Sequence, residues 1–165
     1  MAKIVLNRVD YRLAHGQVAY SWVTFLKANK IIIMDGPTVN DKLALAMMRA
    51  GLRGSKVLAY DIEEGVEQYK KDKFGPGNAI VIYRTIENAY KAWKLGFPAT
   101  ALNVAQVPLD EGRTIAVATV CLTEAEVKML EEMKAGGVDV YTHQTPANPK
   151  YSFEDIINGW KGKQK

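Results

Sequence analysis

A segment near the start of the chain combines residue types that could transfer a phosphoryl group. A neutral imidazole such as that of His15 is a good nucleophile toward phosphorus. The forked donors of Arg8 and Arg12 could orient the transferred group and neutralise its charge. Gly16 would let the backbone approach that group closely. The same spacing also fits a histidine at the surface or at a helix cap, with Arg12 merely paired to Asp10, so residue types alone leave both interpretations open.

Further polar residues follow the other predicted strands, and in an open α/β sheet the ligand site lies beyond the carboxyl ends of the strands. Asp35 follows the second predicted strand, where it could position His15 or simply begin an Asp-Gly-Pro turn. Arg84 follows the fourth, where it could join a phosphate site or contact an acidic partner. Asn103–Gln106 follows the fifth strand. His143 follows the last strand, where it could border the site, although a structural or surface role is favoured.

Short β-rich runs alternate with amphipathic stretches of helical period, which indicates an α/β fold. Several runs are apolar on both faces, as strands covered by helices on both sides are. The segment between Val104 and Thr114 has no helical pattern, so the strand after it is predicted to run antiparallel. We predict a single open, mostly parallel sheet of about seven strands, with helices on both faces and one antiparallel edge strand. The predicted strands are Ile4–Arg8, Lys30–Met34, Lys56–Tyr60, Ala79–Tyr83, Thr100–Val104, Thr114–Thr119 and Val138–Thr142.

Capping residues set the limits of the predicted helices. The first helix covers Gly16–Ala28, so its positive N-terminal end lies beside His15 and suits an anionic group there. The second is predicted from a cap at Asn40 to Ala50, with Gly51 in the left-handed conformation that often ends a helix. The caps of the later helices are predicted at Asp61, Thr85, Thr123 and Ser152. The methionines at helical spacing are predicted to be core residues: Met47, Met48, Met129 and Met133.

Length and composition exclude several classes of protein. The chain has 165 residues, of which 48% are apolar and 24% charged, which predicts a single domain over residues 1–165. The one cysteine, Cys121, can form neither an internal disulfide nor a zinc site built from several thiolates. There is no Gly-rich dinucleotide fingerprint, Walker-type phosphate loop or cluster with metal-ligand spacing. These absences argue against a nicotinamide dehydrogenase, an NTPase and a zinc hydrolase, and they predict no cofactor and no metal.

Charge and hydropathy bear on partners and location. The net charge of +4 and pI near 9.1 allow acidic partners, but the basic residues are scattered and no nucleic-acid motif occurs, which predicts no nucleic-acid partner. No apolar run approaches the roughly 20 residues that span a bilayer. The N-terminus also lacks the continuous apolar segment of a secretory signal. We expect a cytoplasmic protein without direct membrane insertion, which associates with a membrane only through a partner.

The segment described first matches a longer and more specific pattern. It reads Arg8-x-Asp10-x-Arg12-Leu13-x-His15-Gly16-Gln17-Val18 and is followed by Trp22. This resembles the phosphorylation loop, R-[IV]-D-x-R-L-x-H-G-Q-V-x-x-x-W, of the IIB components of the mannose/sorbose/fructose class of the bacterial sugar phosphotransferase system. Weaker similarity continues along almost the whole chain, for example in Asp35, Gly96-Phe97-Pro98 and Leu102-Asn103-Val104.

The resemblance implies a cytosolic phosphocarrier. His15 would accept a phosphoryl group from a phosphohistidine on the IIA protein and carry it on Nδ1. It would then pass the group to a sugar held by the membrane-embedded IIC and IID subunits, without a metal or a nucleotide. The membrane subunits largely choose the sugar, so the sequence does not separate mannose, fructose, sorbose and N-acetylgalactosamine.

The resemblance also implies roles for the loop residues. Arg12 and Arg8 would neutralise phosphoryl charge, and Asp10 would order the loop by pairing with an arginine. Gly16 and Gln17 would supply loop shape and backbone donors. The departures from the family pattern are Tyr11 for an acidic residue, Ala14 for a branched aliphatic residue, and Ala105-Gln106 for a Gly-Gly pair.

Two other hypotheses belong to different classes. A regulatory or binding module could keep the fold and His15 but signal its phosphorylation state to another protein. A nucleotide-dependent oxidoreductase on a similar sheet is disfavoured by the missing glycines.

Overall fold

The computed structural model describes residues 1–164, so Lys165, the last residue of the predicted domain, lies outside the described residues. Within that range, strands and helices alternate as predicted for an α/β protein. The strands are β1 (Lys3–Asp10), β2 (Lys30–Met34), β3 (Lys56–Tyr60), β4 (Asn78–Tyr83), β5 (Ala101–Gln106), β6 (Thr114–Val117), β7 (Val120–Leu122), β8 (Asp139–His143) and β9 (Lys150–Ser152). The helices are α1 (Gly16–Leu26), α2 (Gly36–Val39), α3 (Lys42–Gly51), α4 (Ile62–Lys70), α5 (Ile86–Lys94), α6 (Glu124–Ala135) and α7 (Phe153–Lys163).

The main sheet contains seven of the described strands in the order β3-β2-β4-β1-β5-β8-β9. Its neighbours are parallel except for β8 and β9, which are antiparallel at one edge. The predicted open, mostly parallel sheet with one antiparallel edge strand is therefore confirmed. At the other edge, the guanidinium of Arg49 in α3 donates to the carbonyl of Val57 in β3, at 3.4 Å from Nε and 3.3 Å from Nη2.

The strand predicted over Thr114–Thr119 was assigned to the wrong sheet. Its first part forms β6, which pairs antiparallel with β7 in a separate two-stranded ribbon. Ala118, between the two strands, has a φ of +48°, and this left-handed conformation turns the chain back at once. The antiparallel edge of the main sheet is β9 instead. Periodicity identifies a strand but not its partner, which explains the error.

Helices cover both faces of the sheet, and each face has its own core. On one face, α1 and the end of α3 pack over a cluster that includes Leu6, Trp22, Ile31, Leu52, Val57 and Ile82. On the other face, α4 to α7 pack over a larger cluster that includes Val66, Val81, Ala92, Leu102, Leu130 and Ile156. Within residues 1–164, no helix has the length and apolar character needed to cross a membrane.

The predicted helix caps are confirmed at Asp61, Thr85, Thr123 and Ser152, whose side chains accept a backbone N–H of the first turn. They are wrong at α3. Asp41 caps α3, because Asn40 belongs to the end of the short α2. Gly51 lies inside α3, and the next residue, Leu52, has a φ of −120°, so no left-handed glycine ends this helix.

The predicted core positions of the methionines are confirmed only in part. Met133 is fully buried, but Met47 is 67% exposed. Met47 lies on the side of α3 that faces away from the sheet, whereas Leu45 is buried.

Candidate functional site

The loop between β1 and α1 presents His15 at the N-terminus of a helix. His15 is the N-cap residue of α1, and its side chain is exposed. Leu13 and Gly16 have left-handed φ values of +59° and +46°, so the chain bends sharply on both sides of the imidazole. Because the first N–H groups of a helix have no partner within it, this end of α1 favours an anion next to His15.

The carboxylate of Asp10 holds the loop from below. Asp10 is the last residue of β1, two residues beyond the predicted end of that strand, and it is fully buried. Its Oδ1 accepts one hydrogen bond from the backbone N–H of Arg12 at 2.9 Å and another from Nε of the same residue at 3.4 Å. Its Oδ2 accepts Nη2 of Arg8 at 3.3 Å. The structure therefore shows the pairing of Asp10 with arginine that the resemblance implies.

Arg8 lies beneath the loop. Its side chain is 3% exposed, and Nη1 donates to the backbone carbonyl of His143 at 3.1 Å. Burial lowers the pKa of the Arg8 guanidinium, and the charge of Asp10 opposes that shift. Each terminal nitrogen of the Arg8 guanidinium thus makes one bond inside the protein, and its contact with a phosphoryl group stays a prediction.

Arg12 and His15 share a groove of about 360 Å³, which Ala14 and Gly16 also line. The Arg12 side chain is 28% exposed, so its guanidinium can reach a group bound in the groove. The opposite wall comes from α3 and the residue after it: Ala44, Met47, Met48, Gly51 and Leu52. Gln17 instead lines a second groove of about 440 Å³, beside Tyr20, Phe25 and Pro146.

Asp35 and Arg84 form a pair that clamps the loop. Asp35 is buried, with 2% of its surface exposed. Its Oδ2 accepts hydrogen bonds from Nε and Nη2 of Arg84, both at 3.1 Å. The same oxygen accepts a hydrogen bond from the hydroxyl of Thr38 at 2.6 Å. Arg84 Nη1 donates to the backbone carbonyl of Tyr11 at 3.0 Å. The two predicted border residues are therefore partners of one another, although they stand 49 positions apart in the chain.

His143 is tied into the scaffold at the end of β8. Its backbone N–H and carbonyl bond to the side-chain amide of Asn103 at 2.9 and 2.8 Å. Its Nε2 lies 2.9 Å from the carbonyl of Asn148, and its ring meets the ring of Trp22 edge to face at 5.2 Å. These contacts agree with the structural role that the sequence analysis favoured.

Gln144 is a residue of the supporting scaffold that sequence reasoning missed. Its carbonyl accepts the indole N–H of Trp22 at 2.9 Å, and its Oε1 accepts Nε2 of Gln106 at 2.7 Å. Its own side-chain amide donates to the carbonyl of Ala105 and the hydroxyl of Thr119. Gln106, one of the departures from the family pattern, thus joins the ends of β5 and β8. The signal for Gln144 was its position directly after His143 at the end of a strand.

The chain is similar over nearly its whole length to a set of related proteins. The family model described as "PTS system sorbose subfamily IIB component" matches residues 4–165. The N-acetylgalactosamine-specific phosphotransferase enzyme IIB component 1 of Escherichia coli (strain K12) is 27% identical over 155 residues, which is 92% of this chain and 97% of that protein. The crystal structure of manxB from Thermoanaerobacter tengcongensis superposes with a TM-score of 0.88 at 27% identity and covers 96% of both chains.

A longer relative extends the similarity. The PTS system mannose-specific EIIAB component of Escherichia coli (strain K12) is 21% identical over 156 residues. The match takes in 94% of this chain but 48% of that protein.

Proposed function

This chain belongs to the sorbose subfamily of IIB components of the phosphotransferase system, and from that premise we propose that it carries a phosphoryl group on His15. The family is one of phosphotransferases that serve sugar transport. The observation that carries the proposal is the exposed imidazole at the N-terminus of α1, in the same groove as Arg12.

The proposed reaction has two transfers. In the first, an imidazole nitrogen of His15, Nδ1 by the resemblance, attacks the phosphorus of a phosphohistidine on a IIA protein. The phosphorus–nitrogen bond of the donor breaks and its electron pair stays on the donor imidazole, which takes up a proton as the His15 ring releases one. In the second, a sugar hydroxyl attacks the phosphorus, and the departing His15 imidazole regains a proton as the hydroxyl loses one. Positioning and charge neutralisation supply most of the catalysis in such transfers.

The described contacts support a distinct role for each loop residue. Arg12 and the free N–H groups of α1 would neutralise the phosphoryl oxygens, with Gln17 supplying one of those N–H groups. Asp10 would hold Arg12 through its backbone N–H, and Arg8 would hold Asp10 from below. Gly16 would keep the left-handed turn that leads into the helix.

Arg84 and Asp35 are proposed as positioning residues. Arg84 bonds the carbonyl of Tyr11, the residue before Arg12, while the buried carboxylate of Asp35 fixes its guanidinium. His143 would act further away, since its carbonyl receives Arg8 and its ring packs on Trp22.

The proposed partners are a IIA phosphocarrier, the IIC and IID membrane subunits and a sugar. The relative named as a mannose-specific EIIAB component supports the IIA partner. The relatives are named for different sugars, N-acetylgalactosamine and mannose among them, so the proposal leaves the sugar open. Phosphoenolpyruvate supplies the phosphoryl group inside the cell, so we expect the protein to work in the cytoplasm, associated with the membrane through IIC and IID. No cofactor or metal enters the proposed reaction.

The test is phosphorylation in vitro. The protein is incubated with phosphoenolpyruvate, the two general phosphotransfer proteins and the IIA part of the mannose-specific EIIAB relative, and its intact mass is measured. We expect one acid-labile, alkali-stable phosphoryl group on the wild type and none on His15→Ala. Because His15 is exposed, this variant should keep the circular dichroism spectrum of the wild type.

A IIA protein that modifies a control IIB protein but leaves the wild type unmodified would contradict the proposal. Equal phosphorylation of wild type and His15→Ala would show that another residue carries the group.

A further inference from the structure

The face of the protein that carries α1 and α3 has cationic side chains without acidic partners. Between residues 36 and 60, Asp41 is the only acidic residue in the sequence, and its carboxylate already caps α3. The exposed cations of this stretch are Lys42, Arg49, Arg53 and Lys56. Within residues 1–164, none of them forms an ion pair.

The helices on the opposite face are arranged differently. Lys94 pairs with Glu132 at 2.9 Å, Lys128 pairs with Glu124 at 3.4 Å, and Lys91 pairs with Glu63. Lys70, Lys134, Lys161 and Lys163 on these helices form no ion pair within residues 1–164 either, but acidic side chains such as Glu87, Glu131 and Glu154 are exposed on the same helices. The stretch around α3 differs because it has no acidic side chain free to offset its cations.

On α3, two large apolar side chains are exposed on this face. Leu43 is 73% exposed and Met47 is 67% exposed, and their i, i+4 spacing puts them side by side on α3. We call this pair the α3 ridge. Exposed apolar side chains grouped together usually mark an interaction site, and methionine adapts its shape to different partner surfaces.

The α3 ridge adjoins the reactive groove. Met47 lines the groove of about 360 Å³ that also holds His15 and Arg12. Transfer between two imidazoles needs the reacting atoms within roughly 3–3.5 Å in the attack geometry. A protein that brings a phosphohistidine to His15 must therefore enter this groove and cover its α3 wall.

We propose that the α3 ridge, together with the exposed cations Lys42 at the start of α3 and Arg53 just beyond its end, is the docking surface for the IIA protein that donates the phosphoryl group. This inference rests on the function proposed above. The matching surface on the donor would be an apolar patch with acidic side chains around it. Uncompensated charge of this kind speeds the encounter of proteins that meet by diffusion, as a soluble donor does.

The second groove is the less suitable docking site for the donor. It is lined by Tyr20, Phe25 and Pro146, but neither His15 nor Arg12 borders it. A donor seated there would bury apolar surface without covering the reacting atoms.

The experiment compares donor kinetics in matched variants. The probe is the phosphorylated IIA part of the mannose-specific EIIAB relative, and the rate of His15 phosphorylation is followed at increasing donor concentrations. We expect the double variant Leu43→Ser/Met47→Ser to raise KM about tenfold with little change in kcat, as loss of a central apolar contact does. Lys42→Glu/Arg53→Glu should also raise KM. The control Leu109→Ser removes a side chain that is 64% exposed in another part of the protein, and its KM should match the wild type.

A small phosphoryl donor separates docking from chemistry. Phosphoramidate transfers its phosphoryl group to an imidazole and releases ammonia, and it needs no protein surface. Wild type and Leu43→Ser, whose side chain does not line the groove, should react with it at equal rates. Unequal rates would overturn the proposal, because the ridge would then act on the reactivity of His15 itself.

The remaining outcomes are also decisive. An unchanged KM in the ridge variants of an active protein would overturn the docking surface while leaving the proposed function intact. A higher KM in Phe25→Ser instead would assign docking to the second groove. An effect confined to sugar phosphorylation in vesicles containing IIC and IID would assign the ridge to the membrane subunits. A wild type that accepts phosphoryl groups from neither donor would contradict the function itself.

Discussion

The loop that carries His15 is held by two charged side chains, Asp10 and Arg84, which bond to its backbone. Asp10 holds the loop at the backbone N–H of Arg12, at 2.9 Å, and Arg84 holds it at the carbonyl of Tyr11, at 3.0 Å. These bonds fix both sides of one peptide group, since the carbonyl of Tyr11 and the N–H of Arg12 belong to the same peptide unit. The direction in which Arg12 leaves the backbone is thereby set.

Removing the Arg84 bond should therefore loosen the loop. We expect Arg84→Gln to lower kcat for His15 phosphorylation about tenfold, because small displacements of reacting groups are costly in transfer reactions. Arg84→Lys should recover only part of the loss, since one ammonium cannot reproduce a forked guanidinium. Single-turnover kinetics would measure both effects, and amide NMR shifts of Leu13 to Gly16 should move in Arg84→Gln.

Arg113→Gln is the matched control for this prediction. Arg113 also pairs with a carboxylate, that of Glu126 at 2.8 Å, but it lies outside the loop. If the two glutamine variants slow phosphorylation equally, loss of an ion pair in general is responsible and Arg84 has no special positioning role.

Sequence reasoning found the members of the loop because they are consecutive residues. It could not find that Asp35 and Arg84 are partners, since nothing local joins positions 49 apart. It could not show that the Arg8 side chain is 3% exposed, which follows because the strand that holds Arg8 is covered on both faces. Composition and spacing do not report burial of a charged side chain when its partner is also buried.

Among the elements, α7 and β6 approach one another closely because α7 contains Gly159. A Cβ atom at this position would lie 2.1 Å from the backbone carbonyl oxygen of Ala116 in β6. The contact is with backbone, so a side chain there must push the two elements apart.

We expect Gly159→Ala to lower the free energy of unfolding by about 1–3 kcal/mol, as overpacking of a tight interface does. Gly162→Ala is the control in the same helix, because a Cβ there would meet nothing within 4 Å. It should be neutral or raise stability by up to about 1 kcal/mol, since alanine is the better helix former. Urea unfolding followed by circular dichroism measures both, and equal stability of the two variants would show that the interface gives way easily.

The order and type of the elements were predictable where the signals are local. The caps at Thr123 and Ser152 were predicted from neighbouring residues, and the structure forms a capping box at each. The partner of the strand that begins at Thr114 was not predictable, because pairing depends on residues that meet only after folding. Strand β9 was missed for a similar reason: its three residues are too few to show a period.

At the scale of the whole molecule, the net charge of +4 is unevenly distributed. The α1 and α3 face holds unpaired cations, whereas the lysines of α5 and α6 are largely paired with glutamates. The electrostatic potential should therefore be more positive at the α1 and α3 face than at α5 and α6, a difference that the net charge alone does not describe.

Phosphorylation by a protein donor should depend on salt. Because the Debye length falls from about 10 Å at 0.1 M salt to about 3 Å at 1 M, KM for the phosphorylated IIA donor should rise with ionic strength. The slope should be smaller in Lys42→Glu/Arg53→Glu, which removes part of the attraction. Quenched reactions at a series of salt concentrations would give the dependence of KM on ionic strength. An identical dependence in wild type and variant would mean that these cations do not attract the donor.

The two edges of the main sheet carry a further consequence. At the β3 edge, the guanidinium of Arg49 donates hydrogen bonds to the backbone carbonyl of Val57. At the opposite edge, β9 is three residues long. A strand from another molecule would therefore meet a carbonyl that is already hydrogen-bonded at β3, and a strand of only three residues at β9. Blocked and short edge strands both hinder edge-to-edge aggregation of sheet proteins. Copies of the protein are accordingly hindered from extending its sheet, although an apolar ridge stands on its surface.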